Sequence, residues 1–192
     1  MTLSQYSLIT LNDVKSYLSI SGSNTDTDDV IASLINSVSV LFENYCNKKI
    51  MSRTFTDEKY NGDNSNRLFT KQYPIISIIS IYDDTNWNFE ADTLISADNY
   101  MIHPDMNNVY FKNNILSIGI GNIKITYNAG YESVPTDIKH SCILEVIRRF
   151  KHKTDPDVLS KTLSDGSVAF DTNSLLKETK MILNKYKRFG VV

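Results

Sequence analysis

The strongest constraint on this chain is a change of hydrophobic period within residues 123–150, IKITYNAGYESVPTDIKHSCILEVIRRF. From Ile123 to Tyr127 apolar and polar residues alternate and β-branched types dominate, the pattern of a half-buried strand. Asn128, Ala129 and Gly130 then end the strand, Gly130 being able to take a positive φ. Val134 is biased away from the helical region by Pro135. A helix therefore starts at Pro135 or Thr136, with the Asp137 charge in its first turn. Ile138, Cys142, Val146 and Phe150 recur about every four residues, and Ile143 and Ile147 widen the stripe. One face of this helix must be buried.

Two helices precede it. Thr10 is the expected N-cap of a short one bearing Leu11, Val14, Tyr17 and Leu18, with Asp13 at the capping-box position. A polar loop, Ser21–Asn24, separates it from a longer helix capped by Asp26–Asp29. That helix carries Val30, Leu34, Val38, Leu41, Phe42 and Tyr45, supplemented by Ile31 and Ile35, and ends near Asn47. The pattern then turns extended. Ile50–Thr56 and Arg67–Thr70 read as strands flanking the turn Asn61-Gly62-Asp63, and Ile75–Tyr82 is strongly β-prone. Trp87 and Phe89 begin a further candidate strand. Tyr100–His103 and Val109–Lys112 read as a hairpin, and Ile115–Ile120 as a strand or a glycine-containing loop. After the third helix come a turn signal at Asp165-Gly166, a short extended piece at Val168–Phe170, and a last helix capped by Ser174 or Thr172. Its apolar positions are Leu175, Leu176, Ile182, Leu183 and Tyr186. The expected fold class is α+β: a small bundle of about four helices with a β-rich insertion between helices two and three. The expected division is 1–49 with 123–192 as helical core, and 50–122 as the insertion.

Composition narrows the function. With 192 residues and a net charge of −2, bulk electrostatic attraction to nucleic acid or anionic membrane is not expected. No apolar run approaches membrane-spanning length, and the start, MTLSQYSLITL, lacks the basic and apolar regions of a secretion signal. Cys46 and Cys142 both fall at apolar helix positions, so buried thiols are expected rather than a disulfide. His103, His140 and His152 have no second ligand at a metal-binding spacing. Gly119-Ile120-Gly121 lacks the third glycine and following helix of a dinucleotide site. Asp26–Asp29 lacks the spaced ligands of a calcium loop. No cofactor and no metal site are expected, and no convergent catalytic set can be named.

Two basic stretches remain. Arg148, Arg149, Lys151 and Lys153 gather at the end of the third helix, where cations suit the helix dipole. The alternative function they allow is a nucleic-acid-binding module contacting phosphate. Lys185–Phe189, KYKRF, interleaves aromatics with cations. Two readings of it stand open. It inserts into a partner's surface, or Tyr186 and Phe189 complete the core face of the last helix.

The layout resembles the tailed-phage head-tail connector, or adaptor, proteins that complete the head. The resemblance lies in Leu8–Ile20 and in Asp28–Ile50. It is most specific in the Tyr-x-Ala-Gly-Tyr turn and Val-Pro-x-Asp-Ile entry around Gly130, Tyr131 and Pro135. It extends to SDGSVAF (Ser164–Phe170) and the helix ending in KYKRFG. The resemblance implies a non-enzymatic virion protein of the neck, assembled in host cytoplasm. It would form a ring, dodecameric in the family, beneath the portal. Its partners would be the portal ring, other copies of itself, and a tail or stopper protein, with DNA passing through the channel without sequence-specific binding. By position in the family, the portal-facing arm would be Lys185, Tyr186, Lys187, Arg188, Phe189, Val191 and Val192.

Overall fold

The computed structural model describes residues 2–103, 107–112, 115–154, 162–163, 166–167 and 175–188. In chain order its elements are α1 (Leu11–Tyr17), α2 (Asp28–Cys46), β1 (Arg53–Gly62), β2 (Arg67–Phe69) and β3 (Ile75–Asp83). There follow β4 (Tyr100–His103), β5 (Asn108–Phe111), β6 (Gly119–Ala129), α3 (Thr136–Thr154), β7 (Thr162–Leu163), β8 (Gly166–Ser167) and α4 (Lys177–Asn184). Among the described residues there are thus four α-helices with antiparallel sheets between α2 and α3, an α+β architecture as expected. The chain divides into two compact units, Met1–Met51 with Ser133–Val192, and Ser52–Glu132.

In the helical unit α1 starts as its sequence dictates. The Asp13 backbone N–H donates to Thr10 Oγ1 at 3.2 Å, and the Thr10 N–H donates back to Asp13 Oδ2 at 2.9 Å. The shorter aspartate closes the capping box as a glutamate would. The start of α2 differs from expectation. Its N-cap, Thr27, makes no side-chain capping bond, and Asp28 and Asp29 contribute charge to the first turn. The buried stripe is also rotated. Ile31, Ile35, Val38, Phe42 and Cys46 are wholly buried, while Val30, Leu34, Leu41 and Tyr45 are half-buried flanks. Neighbours on two sides decide this, since α2 packs against α1, α3 and α4. Asn47 ends the helix at φ 53°, a left-handed cap that asparagine tolerates. Ile50, expected to open a strand, is instead buried in this unit, its N–H donating to Glu43 Oε1 at 3.1 Å. In α3 the expected stripe is buried, with Ile138, Cys142 and Val146 fully enclosed. The short β7–β8 hairpin pairs Thr162 with Ser167; Val168–Phe170 and the Thr172 and Ser174 cap candidates lie outside the described residues. Leu176 occupies the N-cap of α4.

The second unit holds two three-stranded antiparallel sheets, in the orders β1-β6-β3 and β2-β5-β4. Here several expectations need correction. Residues 123–129 belong to this unit and not to the helical core, because β6 is longer than read and pairs along both edges. The segments around Asn61-Gly62-Asp63 do not form a hairpin with each other: β1 pairs with β6, and β2 with β5. Trp87 and Phe89 lie in a loop at φ 60° and 54°. The Asp84 carboxylate holds that loop, accepting from the N–H groups of Asn86, Asn88 and Phe89 at 2.7–2.8 Å. The β4–β5 hairpin forms as expected, beginning its second strand at Asn108.

Both edge strands are bulged. Register shifts in β3 fall between Ile75 and Ser77 and between Ile78 and Ser80. The extra residues, Ile76 and Ile79, are the exposed isoleucines of that strand, since a bulge breaks the in–out alternation. Between the sheets lies a core of Leu68, Ile81, Val109, Phe111, Leu116, Ile123, Ile125 and Tyr127 with their neighbours.

Two outcomes follow from this packing. A Cβ on Gly62 would lie 1.8 Å from the Ser117 carbonyl oxygen, whereas one on Gly22 meets nothing within 4 Å. Gly62→Ala should therefore cost about 1–3 kcal/mol through backbone displacement, and Gly22→Ala should be near neutral, as read by urea denaturation. The second concerns pH. Burial pushes the Cys142 thiol up from 9.0 to about 12 and the Cys46 thiol to about 11. The folded state keeps protons that an unfolded chain loses above pH 9, so this stability is complete below pH 9 and lost as pH rises toward 12. Burial of the Lys48 ammonium, lowered from 10.5 to about 8, works the other way: its cost is present at neutral pH and relieved as pH rises from 8 to 10.5. Cys142→Ala should flatten the alkaline decline measured by thermal melts between pH 8.5 and 11.

Candidate functional site

The candidate site residues fall into three groups. The first is the glycine–proline turn. Gly130 has φ 112° and its N–H donates to the Pro74 carbonyl at 2.9 Å. The Tyr131 carbonyl accepts from the Ser52 N–H at 3.0 Å. Pro135 offers its carbonyl to the Lys139 N–H at 2.9 Å, beginning the α3 hydrogen-bond ladder. All three residues therefore shape backbone: Gly130 and Tyr131 close the strand end, and Pro135 starts the helix.

The second group is the segment after α4. Tyr186 is half-buried and its hydroxyl donates to Asp137 Oδ1 at 2.7 Å. The Arg188 N–H donates to the Cys46 carbonyl at 2.8 Å, satisfying a helix-end acceptor of α2. Lys187 Nζ lies 4.9 Å from the Tyr45 ring centroid, and the Tyr45 hydroxyl donates to Asn184 Oδ1 at 2.9 Å. Lys185 is exposed. Tyr186 is thereby tied to the first turn of α3. Phe189, Val191 and Val192 lie outside the described residues.

The third group is the basic end of α3. Arg148 donates from Nε and Nη2 to Glu145 Oε2 at 3.2 and 2.8 Å. Arg149 is half-buried, with Nε and Nη2 enclosed and without a hydrogen-bond partner among the described residues. Lys151 is exposed, and Lys153 follows on the same helix. Arg148 thus pairs with a buried carboxylate of its own helix while its side chain stays partly exposed. Glu145, 0 % exposed, is the residue that sequence reasoning missed. Its other oxygen accepts from the Leu176 N–H at 2.6 Å, supplying the N-cap of α4 with an acceptor that the Leu176 side chain cannot provide. The signal was present: Glu145 follows Cys142 by three and precedes Val146 on the apolar stripe, with Arg148 three residues on.

Among the described residues no group of three or more His, Cys, Asp or Glu is placed to hold a metal ion, and no helix is long and apolar enough to cross a membrane. What the three groups can do is hold geometry. Glu145→Ala should destabilise the helical unit by about 3 kcal/mol, because it strips a buried ion pair and an N–H of their partner. Tyr186→Phe should cost about 1.5 kcal/mol, the usual worth of a bond to a charged acceptor. Both are read by denaturant titration, and α4 should lose amide-exchange protection in the Glu145 variant.

Comparison with known proteins places this architecture. The head completion protein family matches residues 7–189. No curated protein sequence matches the chain. Among solved structures, a chain in the neck of an empty gene transfer agent (GTA) particle, computed with C6 symmetry, aligns with TM-score 0.59. It is 10% identical, and the alignment covers 100% of this chain and 95% of that one. A chain from the virion of the native GTA particle gives 0.59 at 13% identity, again over 100% and 95%. A third, from the native GTA neck computed with C12 symmetry, gives 0.53 at 14% identity over 100% and 98%. At such identities the likeness is one of fold. The family match spans nearly the whole chain, both units included, and so the protein belongs to the head completion protein family, as a structural component of the phage virion's head–tail region.

Proposed function

We propose that this protein is a head–tail adaptor that forms a ring beneath the portal, lengthens the DNA channel and offers a docking surface to the tail or next connector. The observation that carries the reading is the head completion match combined with a fold shared, end to end, with chains of phage-like necks. The role is mechanical and not enzymatic. The helical unit serves as the connector core and the strand-rich unit as the insertion that meets neighbours. A net charge of −2 suits a channel through which DNA slides, since a strongly cationic lining would hold it. The portal-facing arm is Lys185, Tyr186, Lys187, Arg188, Phe189, Val191 and Val192, and the bonds of Tyr186 and Arg188 to the helical unit anchor its start.

The test is the mass of the purified protein in solution, alone and mixed with portal rings. A ring, or a monomer that joins the portal in fixed proportion, is expected. A monomer indifferent to the portal at all concentrations overturns the reading. Duplex DNA binding that falls steeply with salt, and is lost on changing Arg148, Arg149, Lys151 and Lys153 to alanine, would instead favour a nucleic-acid module.

A further inference from the structure

Asn61-Gly62 is the only Asn-Gly pair in the chain. Such a pair usually makes a hairpin turn, but here it ends β1, with Gly62 registered against Gly119 at the start of β6. The pair also has a chemistry of its own. The Gly62 backbone nitrogen can attack Asn61 Cγ: the N–Cγ bond forms, the Cγ–Nδ2 bond breaks and ammonia leaves. The product is a cyclic imide whose nitrogen carries no hydrogen. Water then opens the ring. Addition at the Cγ carbonyl gives aspartate, and addition at the main-chain carbonyl gives isoaspartate, in which the chain runs through Cβ. Water is the sole co-reactant, and glycine favours the attack because no side chain crowds its nitrogen.

The fold engages each group that this reaction needs. The nucleophile is committed, since the Gly62 N–H donates to Asn122 Oδ1 at 2.9 Å. Asn122 is 0% exposed. Its Nδ2 donates to the Ser117 carbonyl at 2.8 Å and to Asp83 Oδ1 at 3.2 Å, so the side-chain amide is fixed at both ends. The electrophile is aimed at another strand: Asn61 Oδ1 accepts from the Gly121 N–H at 2.8 Å. That bond alone would polarise the amide and speed attack; the immobilised nitrogen is what stops it. The glycine backbone has no room to swing either, because the Ser117 carbonyl oxygen lies 1.8 Å from where a Gly62 Cβ would stand. Asn61 itself is exposed, so exclusion of water is not the protection.

We infer that Asn61 is a latent deamidation site, silent while β1 lies against β6 and open once the chain unfolds. The isoaspartyl product then bars return. It adds a carbon to the main chain immediately before Gly62, where the backbone is confined, and displaces the N–H that the buried Asn122 oxygen requires. A buried acceptor left without its donor costs stability. Aspartate at this position is tolerated, because its carboxylate still accepts from the Gly121 N–H. Unfolding thus becomes irreversible through chemistry on the unfolded chain.

The full chain is held at mildly alkaline pH, folded or in guanidinium chloride, and Asn61 is followed by peptide mass mapping. Conversion in the folded chain should be at least about tenfold slower, because it must wait for opening of the strand end. Across the denaturation transition the rate should follow the unfolded fraction. A rate indifferent to denaturant overturns the inference. Asn122→Ala, shown by circular dichroism to fold, should convert faster than wild type under native conditions; a folded variant as slow as wild type overturns the part given to Asn122. Refolding by dilution tests the consequence. The refoldable fraction should fall in step with isoaspartate in wild type and hold constant in Asn61→Gln, whose longer side chain cyclises far more slowly. Isoaspartyl chains that refold with wild-type yield overturn the barrier to return.

Discussion

A strand hydrogen-bonded along both edges can only be central, and the strand-rich unit depends on β6 holding that place. Ile123, Ile125, Tyr127 and Ala129 are all fully buried along it, so its side chains and its backbone are satisfied together. The Tyr127 hydroxyl donates to Glu58 Oε2 at 2.8 Å, and the Tyr60 hydroxyl reaches the same oxygen at 2.6 Å. The Lys71 and Gln72 N–H groups donate to those phenols at 2.7 and 3.3 Å. Burial first, then the hydrogen bond with Glu58 for Tyr60 and the neighbouring Tyr60 followed by Glu58 for Tyr127, pushes both phenols above their ordinary range, so they stay neutral donors. One half-buried carboxylate thereby ties β1 and β6 to the segment that follows β2. A network this enclosed is worth most when fully satisfied.

In the helical unit, carboxylates do the corresponding work at helix ends. Asp13 closes the α1 capping box and meets Lys139 of α3 at 2.8 Å. Burial raises its pKa, but the bonds from Lys139 and Thr10 outweigh that and leave it lowered. Asp137 in the first turn of α3 receives Tyr186, and Glu145 receives Arg148 and the start of α4. Apolar stripes bring the helices together, and each acid then sets where one helix begins against another. Stripes alone permit sliding, whereas a hydrogen bond to a named N–H does not.

This division suits a structural virion component. The helical unit is bound to itself by directional contacts, including those of the segment after α4. Among the described residues both units also expose large apolar side chains, Val40 and Met181 in the first and Phe69, Trp87 and Met101 in the second. The fold is shared with neck chains at only 10–14% identity. Stripes, caps and the central strand are enough to specify it, and surfaces are free to match different neighbours.

What could be read from residues alone was local. The switch from period two to period 3.6 across Tyr127–Ile138, the Thr10 cap, the α3 stripe and the β4–β5 hairpin all depend on neighbours within a few positions. So does the α+β class with its strands between α2 and α3. Other features required the distant chain. That β6 joins β1 and β3, rather than the helix it precedes, depends on backbone pairing across 40–76 residues, from Asp83–Ile123 to Arg53–Ala129, to which side-chain period is blind. That α2 buries Ile31 and Ile35 more deeply than Leu34 depends on having three helical neighbours. Trp87 and Phe89 read as strand by propensity, but Asp84 takes their backbone, its carbonyl accepting from the Trp87 N–H and its carboxylate from the Asn88 and Phe89 N–H groups. Glu145 on an apolar stripe is intelligible only once the N–H it satisfies, 31 residues away, has folded back to it. The sequence by itself determined periods and caps, because these are properties of adjacent residues. Tertiary structure decided strand partners and buried charges, because a hydrogen bond needs a second group that the local sequence does not contain.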